Sequence, residues 1–280
     1  MNIEGKQKIT SKWFKNLRNK ICAEFIQIEK EYAEVKEIQA GKFKRKKWNR
    51  DGGGGGEMSI MKGNVFEKVG VNISTVFGQF SDKFKDRIPG ASEDPNFWAS
   101  GISLVAHMSS PLIPAIHINT RFICTTKNWF GGGIDLTPAI TNESETNRFH
   151  QILKDTCDKH NNEYYPKFKK NCQEYFFIKH RNEERGVGGI FYDYLNSDNF
   201  NNDFNFTKDV GMSLLQIFPE IVRSKMFKKY TKKDKDKQLI KRGRYAEFNL
   251  LYDRGTKFGL MTDGNPEAIL MSLPPLAKWE

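Results

Sequence analysis

The first predicted element comes from the spacing of apolar residues near the start of the chain. Between residues 11 and 39 they recur three and four positions apart, with Lys and Glu in between. This spacing places the apolar side chains on one stripe of a helix. We therefore predict that residues 1–40 form a leading amphipathic helix, with a buried stripe made of Phe14, Leu17, Ile21, Phe25, Ile28, Tyr32 and Val35.

A second pattern, with a period of two, predicts β-strands further along the chain. It is clearest over residues 115–126, where one set of alternate residues is mostly apolar: Ile116, Ile118, Thr120, Phe122 and Cys124. The other set aligns His117, Asn119 and Arg121 on one polar face. Residues 64–80 and 102–108 have strand composition, and residues 243–255 repeat the half-polar alternation.

Helical spacing returns in the second half of the chain. It predicts helices at about residues 145–160, 167–180 and 208–222. Asn265, Pro266 and Glu267 fit the start of a further helix, as a capping side chain, a proline at the first position and an acid in the first turn. Helices and strands follow one another without a regular βαβ rhythm, so we predict an α+β fold with an antiparallel sheet. Because there is no repeat or clear break, we expect one domain over residues 1–280.

The excess of positive charge is confined to two short segments. The chain carries 45 Lys and Arg against 34 Asp and Glu, a formal net charge of +11. Residues 42–50 hold six basic residues and residues 228–244 hold nine, so the rest of the chain is slightly acidic. Such local charge attracts polyanions, either a nucleic acid or a polycarboxylate substrate. For residues 228–237, a solvated, mobile loop is the simpler interpretation.

Several classes of protein are excluded by what the sequence lacks. No apolar run approaches the ~18 residues of a membrane-spanning helix, and we expect no secretory signal. Cysteines at positions 22, 124, 157 and 172 have no metal-site spacing and are too few for a disulfide scaffold. The glycines at 52–56 are not followed by GK[ST], so we interpret them as a linker or as a loop of close backbone approach. We therefore predict a soluble, cytoplasmic protein.

Two segments carry the candidate chemistry. On the polar face of residues 115–126 three hydrogen-bonding groups lie side by side, and such groups need partners when buried. Arg121 could bind a carboxylate of a ligand or close an internal salt bridge, and the pattern favours neither. In WFGGGIDLTP (129–138), three glycines allow a tight turn capped by Asp135 or the approach of a flat ligand to Asp135.

Several long motifs, in a fixed order, carry a resemblance to a known family. They are GGGGGEMSIMKGNVFEKVGVNISTVFG, SLVAHM with PAIHINTRF, NWFGGGIDLTP, YFFIKHRNEERGVGGIFYDYLN, and GRYAEFNLLYDRGTKFGL with EAILMSLPPLAKWE. The chain resembles the oxygen-dependent coproporphyrinogen III oxidases over residues 49–280, which is nearly all of it except the first helix.

The resemblance implies a fold and a reaction. The fold is a large flat antiparallel sheet of about seven strands between helical layers, in a homodimer whose interface includes residues 245–280. The reaction belongs to heme biosynthesis: the propionates on rings A and B of coproporphyrinogen III are oxidatively decarboxylated to vinyl groups. O2 is the co-substrate, the products are protoporphyrinogen IX, CO2 and H2O2, and no organic cofactor is implied. CxxxCxxC is absent, which excludes the unrelated anaerobic enzyme with its iron–sulfur cluster.

Roles for individual residues follow from the matching motifs. Asp135 would polarise or accept the pyrrole N–H protons, His117 would donate a proton, and Arg121 would bind a propionate. The implied substrate contacts are Ser103, Asn119, Thr120, Arg121, Asp253, Lys257, Asp263, Gly264 and Asn265. Bacterial members are also assigned a divalent metal, which here would be held by His107, His117, His150 and His180. The family is often described as needing no metal, so both interpretations stay open.

One departure from the family pattern keeps alternatives open. Members commonly carry GGR after FGLxT, with the arginine contacting substrate, where this chain has Asp263, Gly264 and Asn265. Either substrate binding is weaker or another basic residue supplies the contact, and a member that binds a tetrapyrrole without turnover stays possible. A nucleic-acid-binding protein that uses the two basic segments is the alternative from another class, although the sequence has no recognition helix, RNP motif or zinc finger.

Overall fold

Seven α-helices are present in the described part of the chain. The computed structural model describes residues 1–280 apart from 82–84, 87, 262 and 263 and the side chain of Phe258. The helices are α1 (Ile3–Lys36), α2 (Glu143–Asp158), α3 (Tyr164–Tyr175), α4 (Phe200–Lys225), α5 (Lys232–Leu251), α6 (Arg254–Met261) and α7 (Pro266–Ile269). Two 3-10 helices cover Lys179–Arg181 and Leu270–Ser272.

The strands form one large antiparallel sheet and one small hairpin. They are β1 (Lys44–Asn49), β2 (Gly54–Met61), β3 (Phe66–Gln79), β4 (Asn96–Met108), β5 (Ala115–Cys124), β6 (Asn128–Thr137), β7 (Phe177–Ile178), β8 (Glu183–Glu184) and β9 (Gly189–Leu195). The seven-stranded sheet has the order β1-β2-β3-β4-β5-β6-β9, and β7 pairs with β8. The α+β prediction with a seven-stranded antiparallel sheet is confirmed.

One face of the sheet is covered by α1 and α4, which form the main core with it. Phe25 of α1 stacks on Phe66 of β3 with ring centroids 4.5 Å apart, and Phe200 of α4 contacts Phe122 of β5 edge-on. The predicted stripe of α1 is buried from Phe14 to Ile28. Val35, its last member, is 65% exposed, because α1 ends one residue later. Burial of this stripe, rather than helix propensity, holds α1 on the sheet.

Residues 243–255 differ most from their predicted structure, because they form no strand. Most of them belong to α5 instead, whose buried side chains include Arg242, Tyr245 and Asn249. Within residues 243–251 the buried positions of α5 are 243, 245, 246, 248 and 249, so steps of two occur beside the steps of three typical of a helix, and a short stretch can be read as alternation. The interpretation as a strand was therefore wrong.

The start of α5 also corrects the loop predicted over residues 228–237. The side chain of Thr231 accepts the backbone N–H of Asp234, and the Asp234 carboxylate accepts the backbone N–H of Thr231. This reciprocal capping box fixes the beginning of a helix at Lys232. Much of the basic segment is therefore ordered helix.

The structure also differs from the predicted elements at the two glycine segments and at one histidine. Residues 131–133 lie in the middle of β6 and form no turn, and the tract at 52–56 leads directly into β2. The helix predicted over 167–180 ends at Tyr175, so His180 lies in a 3-10 turn. The other predicted helices are confirmed as α2 and α4. Within the described residues, no helix is both long and apolar enough to cross a membrane.

Candidate active site

The polar face of β5 lies near the centre of the sheet, on the side away from α1. Asn119 pairs directly with Ser103 of β4, and Arg121 pairs with Gly101. Paired residues on neighbouring strands project to the same side of a sheet. His117, Asn119 and Arg121 are half-buried, so the core does not seal this face. The predicted alignment of these three groups is confirmed by the strand register.

Glycines beside Arg121 keep this face flat. Gly101 is its neighbour on β4 and Gly131 its neighbour on β6. A Cβ atom at Gly131 would lie 2.8 Å from both Nη2 of Arg121 and Oδ1 of Asp193, which is closer than a real Cβ comes to other atoms. A side chain at Gly131 would therefore displace the ion pair of Arg121 and Asp193, which lies over this glycine, and at Gly101 it would meet the backbone of Thr120.

A buried ion pair supports His117. Asp135 of β6 is 3% exposed, and its Oδ1 lies 2.7 Å from Nδ1 of His117. Its Oδ2 accepts a hydrogen bond of 2.6 Å from Nη2 of Arg185. Arg185 is 2% exposed, and its guanidinium lies 3.8 Å from the ring centroid of Phe176, a cation–π contact. Both carboxylate oxygens are engaged, so Asp135 meets the polar face through His117 rather than directly.

The charge of Asp135 is stabilised by its partners. Burial alone would raise the pKa of this carboxyl, but the Arg185 guanidinium and the hydrogen bond to His117 outweigh burial. The pKa of Asp135 therefore lies below its ordinary value. Asp135 is an anion at neutral pH, and Arg185 balances its charge inside the protein.

Hydrogen bonds continue along β5 from His117 to Arg121. Nη1 of Arg121 donates to Oδ1 of Asn119 at 3.1 Å, so Nδ2 of Asn119 faces Nε2 of His117, also at 3.1 Å. An amide N–H only donates, so Nε2 of His117 accepts this hydrogen bond. The neutral imidazole consequently carries its proton on Nδ1 and donates it to Asp135. This network assigns the tautomer and leaves the basic nitrogen on the polar face.

Asp193 of β9 connects Arg121 to a second guanidinium. Oδ1 of Asp193 lies 2.9 Å from Nη2 of Arg121, and its Oδ2 lies 3.8 Å from Nη2 of Arg254, the first residue of α6. The Arg254 guanidinium also lies 4.9 Å from the ring centroid of Tyr175. Two guanidinium groups share one carboxylate here, so this part of the polar face offers two cationic donors to the carboxylate of a ligand.

Some predicted substrate contacts do not join this group. Thr120 is 0% exposed on the face covered by α1 and α4, because neighbouring residues of a strand project to opposite sides. Asp253 uses both carboxylate oxygens locally, accepting from the hydroxyl of Tyr175 at 2.9 Å and the N–H of Thr256 at 2.7 Å. Lys257 is exposed on α6. The structure therefore does not place Thr120 in the site.

The segment that departs from the family pattern precedes α7. Asp263 lies outside the described residues. Gly264 donates its N–H to the carbonyl of Gly259 at 2.9 Å. Oδ1 of Asn265 accepts the N–H of Ala268 at 3.1 Å and so caps α7, as its sequence context predicts. The side chain of Asn265 is thus engaged in the backbone of its own segment.

The four histidines implied as metal ligands have other partners. These are the Ser272 carbonyl for His107, Asp135 and Asn119 for His117, the Val187 carbonyl and Tyr165 hydroxyl for His150, and the Tyr252 hydroxyl and Glu247 for His180. Among the residues the structure describes, no three His, Cys, Asp or Glu side chains converge into a group that could hold a metal. The histidines therefore do not fit the implied four-ligand site.

Arg185, Asp193 and Arg254 are the site residues that the sequence patterns missed. The first two belong to RGVGGIFYDYLN (185–196), where the patterns indicate only a glycine kink and an aromatic strand. The available signal was a charged residue within a mostly apolar and aromatic segment, because a charge that becomes buried needs a partner.

Relatives of known name match the chain over its whole length. The family model described as Coproporphyrinogen III oxidase matches residues 9–280. A protein of Rickettsia bellii (strain OSU 85-389), named oxygen-dependent coproporphyrinogen-III oxidase, is 67% identical over 279 residues and covers 100% of both chains. Proteins of the same name from Rickettsia akari (strain Hartford) and Rickettsia africae (strain ESF-5) are 66% and 65% identical, with the same coverage.

Proposed function

The chain belongs to the coproporphyrinogen III oxidase family, and we propose that it catalyses the oxygen-dependent decarboxylation of coproporphyrinogen III in heme biosynthesis. The propionates on rings A and B become vinyl groups, giving protoporphyrinogen IX. Each propionic acid side chain loses CO2 together with two electrons and two protons, and O2 takes up these electrons and protons as H2O2. The observation that carries the proposal is the flat, glycine-lined face bearing His117 and Arg121, in a chain 67% identical to an oxidase of this name.

The shape and charge of this face suit the substrate. A tetrapyrrole presents a broad ring, and the glycines at 101 and 131 add no side chain to the sheet beneath the ion pair of Arg121 and Asp193. Coproporphyrinogen also carries four propionates, which need cationic partners. Arg121 is one such cationic partner, because it lies beside the glycines. Arg254 is another, because it shares Asp193 with Arg121. A propionate that replaces Asp193 between them would gain charge-assisted hydrogen bonds.

His117 is the group we assign to proton transfer. Its Nε2 is the acceptor nitrogen on the polar face, so it can take a proton from the substrate and return it once the substrate N–H replaces the Asn119 amide as its donor. Asp135 stabilises the imidazolium that forms, in the way a buried carboxylate supports a catalytic histidine. Arg185 holds that carboxylate in place and keeps it ionised. Asp135 then acts through His117 rather than on the pyrrole nitrogens.

Assembly and location complete the proposal. We assign a homodimer with residues 245–280 at the interface, because this region exposes large apolar side chains that solvent disfavours. They are Leu250, Leu251, Leu260, Met261 and Leu276. The cytoplasm is the proposed compartment. In the second basic segment, Lys235 and Arg242 of α5 pair with Glu67 of β3, so these two charges serve the fold rather than a nucleic acid.

Binding and turnover test the function separately. Purified protein is incubated in air with coproporphyrinogen III carboxyl-labelled with 14C, and released CO2 is counted. Tryptophan quenching by coproporphyrin III, the oxidised ring that cannot react, measures binding. The proposal predicts binding and release of two CO2 per substrate. Binding without CO2 would identify a tetrapyrrole-binding protein that has lost turnover, and an absence of both would reject the function.

A further inference from the structure

The edge strand β1 brings four consecutive basic residues to one side of the sheet. Lys44–Lys47 are all exposed. Successive side chains of a strand project to opposite faces, so Lys44 and Lys46 lie on one face with Trp48, and Arg45 and Lys47 lie on the other. Only one of these two pairs can therefore face the substrate.

The strand register places Lys46 on the same face as Arg121. Four direct pairs connect the two strands: Trp48–Gly56, Gly56–Ser74, Ser74–Gly101 and Gly101–Arg121. Paired residues share a face, so Trp48 lies on the same face as Arg121. Lys46 is two residues before Trp48 on β1 and therefore lies on that face as well. With four steps of about 4.8 Å, β1 lies about 19 Å from β5. Because α7 covers Asn72 of β3 in the row of Lys46, a ring with extended propionates would reach both cations along the neighbouring row of Ser74 and Gly101.

Lys46 lies where α7 meets the edge strand β1. Its Nζ lies 2.5 Å from Oε2 of Glu267, the second residue of α7. The carbonyl of Ala268 accepts a hydrogen bond of 3.1 Å from Nδ2 of Asn72, which anchors α7 on the substrate face of β3. The side chains of Lys46 and Glu267 are 64% and 60% exposed, so water screens their ion pair and it is weak. An ammonium has three donors, so a second carboxylate can share it or replace Glu267.

We propose that Lys46 binds a propionate of the substrate at the β1 edge, in exchange with Glu267. The inference rests on the proposed function and names the residue that would hold a carboxylate far from Arg121 and Arg254. Cations at both ends of the face would fix the rotation of the ring in its plane. The reaction needs this control, because only two of the four propionates are decarboxylated.

Two substitutions that break the same ion pair test the exchange. Lys46→Gln removes the ammonium, and we expect KM for coproporphyrinogen III to rise about 3- to 10-fold with kcat within about 2-fold, as for one lost charge-assisted contact. Glu267→Gln removes the competing carboxylate, so KM should fall by about 2-fold, the scale of an exposed ion pair. Equal shifts of KM in the same direction would show that the pair only anchors α7, and would overturn the proposal.

Lys47→Gln is the matched control, since Lys47 has the same charge on the next position of β1 but the opposite face. Its KM should equal that of the unchanged protein, and a rise matching that of Lys46→Gln would overturn a direct contact. Dissociation constants for coproporphyrin III should follow the same pattern in all three variants. Because this probe needs no turnover, Lys46 is tested even if the protein releases no CO2. An active protein with unchanged Lys46→Gln binding would reject this inference alone.

Discussion

At the scale of residues, the proposed proton transfer depends on one buried carboxylate, that of Asp135, and its two partners. Asp135 holds His117 on one oxygen and Arg185 on the other, and its pKa is lowered in spite of burial. The sequence marks Asp135 as a candidate because it follows three glycines, but it does not show that Asp135 is covered. Arg185 is 50 residues away, so local patterns cannot reveal that partner.

We predict that Asp135→Asn lowers kcat by about 100-fold or more, the usual scale for a disrupted acid–base group. The amide keeps the size of the side chain but can no longer stabilise an imidazolium at His117. Arg185 also loses its buried counter-charge, so unfolding by denaturant is measured beside steady-state kinetics. Asp209→Asn is the control, because Asp209 also contacts a histidine, His160, at 2.9 Å but is not part of the polar-face network. Normal turnover in folded Asp135→Asn would contradict the role of Asp135.

Arg121→Ala is expected to raise KM by about 10- to 100-fold, the range for losing a hydrogen-bonded charge. Arg121→Lys should recover part of this loss, because a lysine keeps the charge without the planar fork. Steady-state kinetics with coproporphyrinogen III measure both variants. Arg148→Ala provides the comparison, since Arg148 is an exposed arginine paired with Glu220 on helices of the other layer. If KM is the same for Arg121→Ala and Arg148→Ala, propionate binding at Arg121 is wrong.

At the scale of elements, α5 is held to the sheet by one carboxylate of β3. Oε2 of Glu67 accepts hydrogen bonds from Nη2 of Arg242 at 2.8 Å and Nζ of Lys235 at 3.2 Å. Burial would raise the pKa of Glu67, but these two cations outweigh it, so its pKa lies below 4.5. The basic segment therefore contributes to the fold through charges that a count of Lys and Arg assigns to solvent.

Glu67→Gln tests this attachment through its pH dependence. Because the pKa of Glu67 is lowered on folding, its stabilisation is present above pH 4.5 and is lost as pH falls through the lower folded-state value. At pH 7 we expect the variant to lose about 1–3 kcal/mol of unfolding free energy. The difference from the unchanged protein should shrink as the pH falls below 4.5 in denaturant titrations. A difference that stays constant with pH would show that the charge of Glu67 is unimportant.

Elements with a long apolar pattern could be predicted, and those with a short or mixed one could not. The stripe of α1 and the alternation of β5 extend over many residues, so each fits only one structure. Residues 243–255 fit both a strand and a helix. The capping box at Thr231 and packing on the sheet decide for the helix. In the same way, the face bearing His117, Asn119 and Arg121 follows from local alternation. Its links to Arg185, Asp193 and Arg254 depend on how separate elements meet.

At the scale of the whole molecule, the core of the described residues bears on the number of domains, and the exposed apolar surface bears on the association of chains. Residues of α1, the sheet and α4 belong to one continuous apolar cluster, which supports the interpretation as one domain. In the homodimer we propose, a second chain would cover the exposed apolar side chains between Leu250 and Leu276.

We expect a particle of twice the 32.4 kDa chain mass in light scattering after size exclusion. Leu250→Glu and Leu276→Glu should shift it toward the monomer, because a charge in an apolar interface is costly. Ile38→Glu, at an apolar residue that is 47% exposed beyond α1, should leave the mass unchanged. A monomeric unchanged protein, or a dimer that resists both leucine substitutions, would reject residues 245–280 as the interface.

The proposed function requires that this protein form product only when oxygen is present. The most direct measurement follows protoporphyrin fluorescence, after chemical oxidation of the products, in reactions with coproporphyrinogen III in air and without oxygen, each with and without EDTA. We expect product in air only, unaffected by the chelator, because the described histidines have other partners and do not converge into a metal site. Product without oxygen, or product in air abolished by EDTA and restored by a divalent metal, would contradict this expectation.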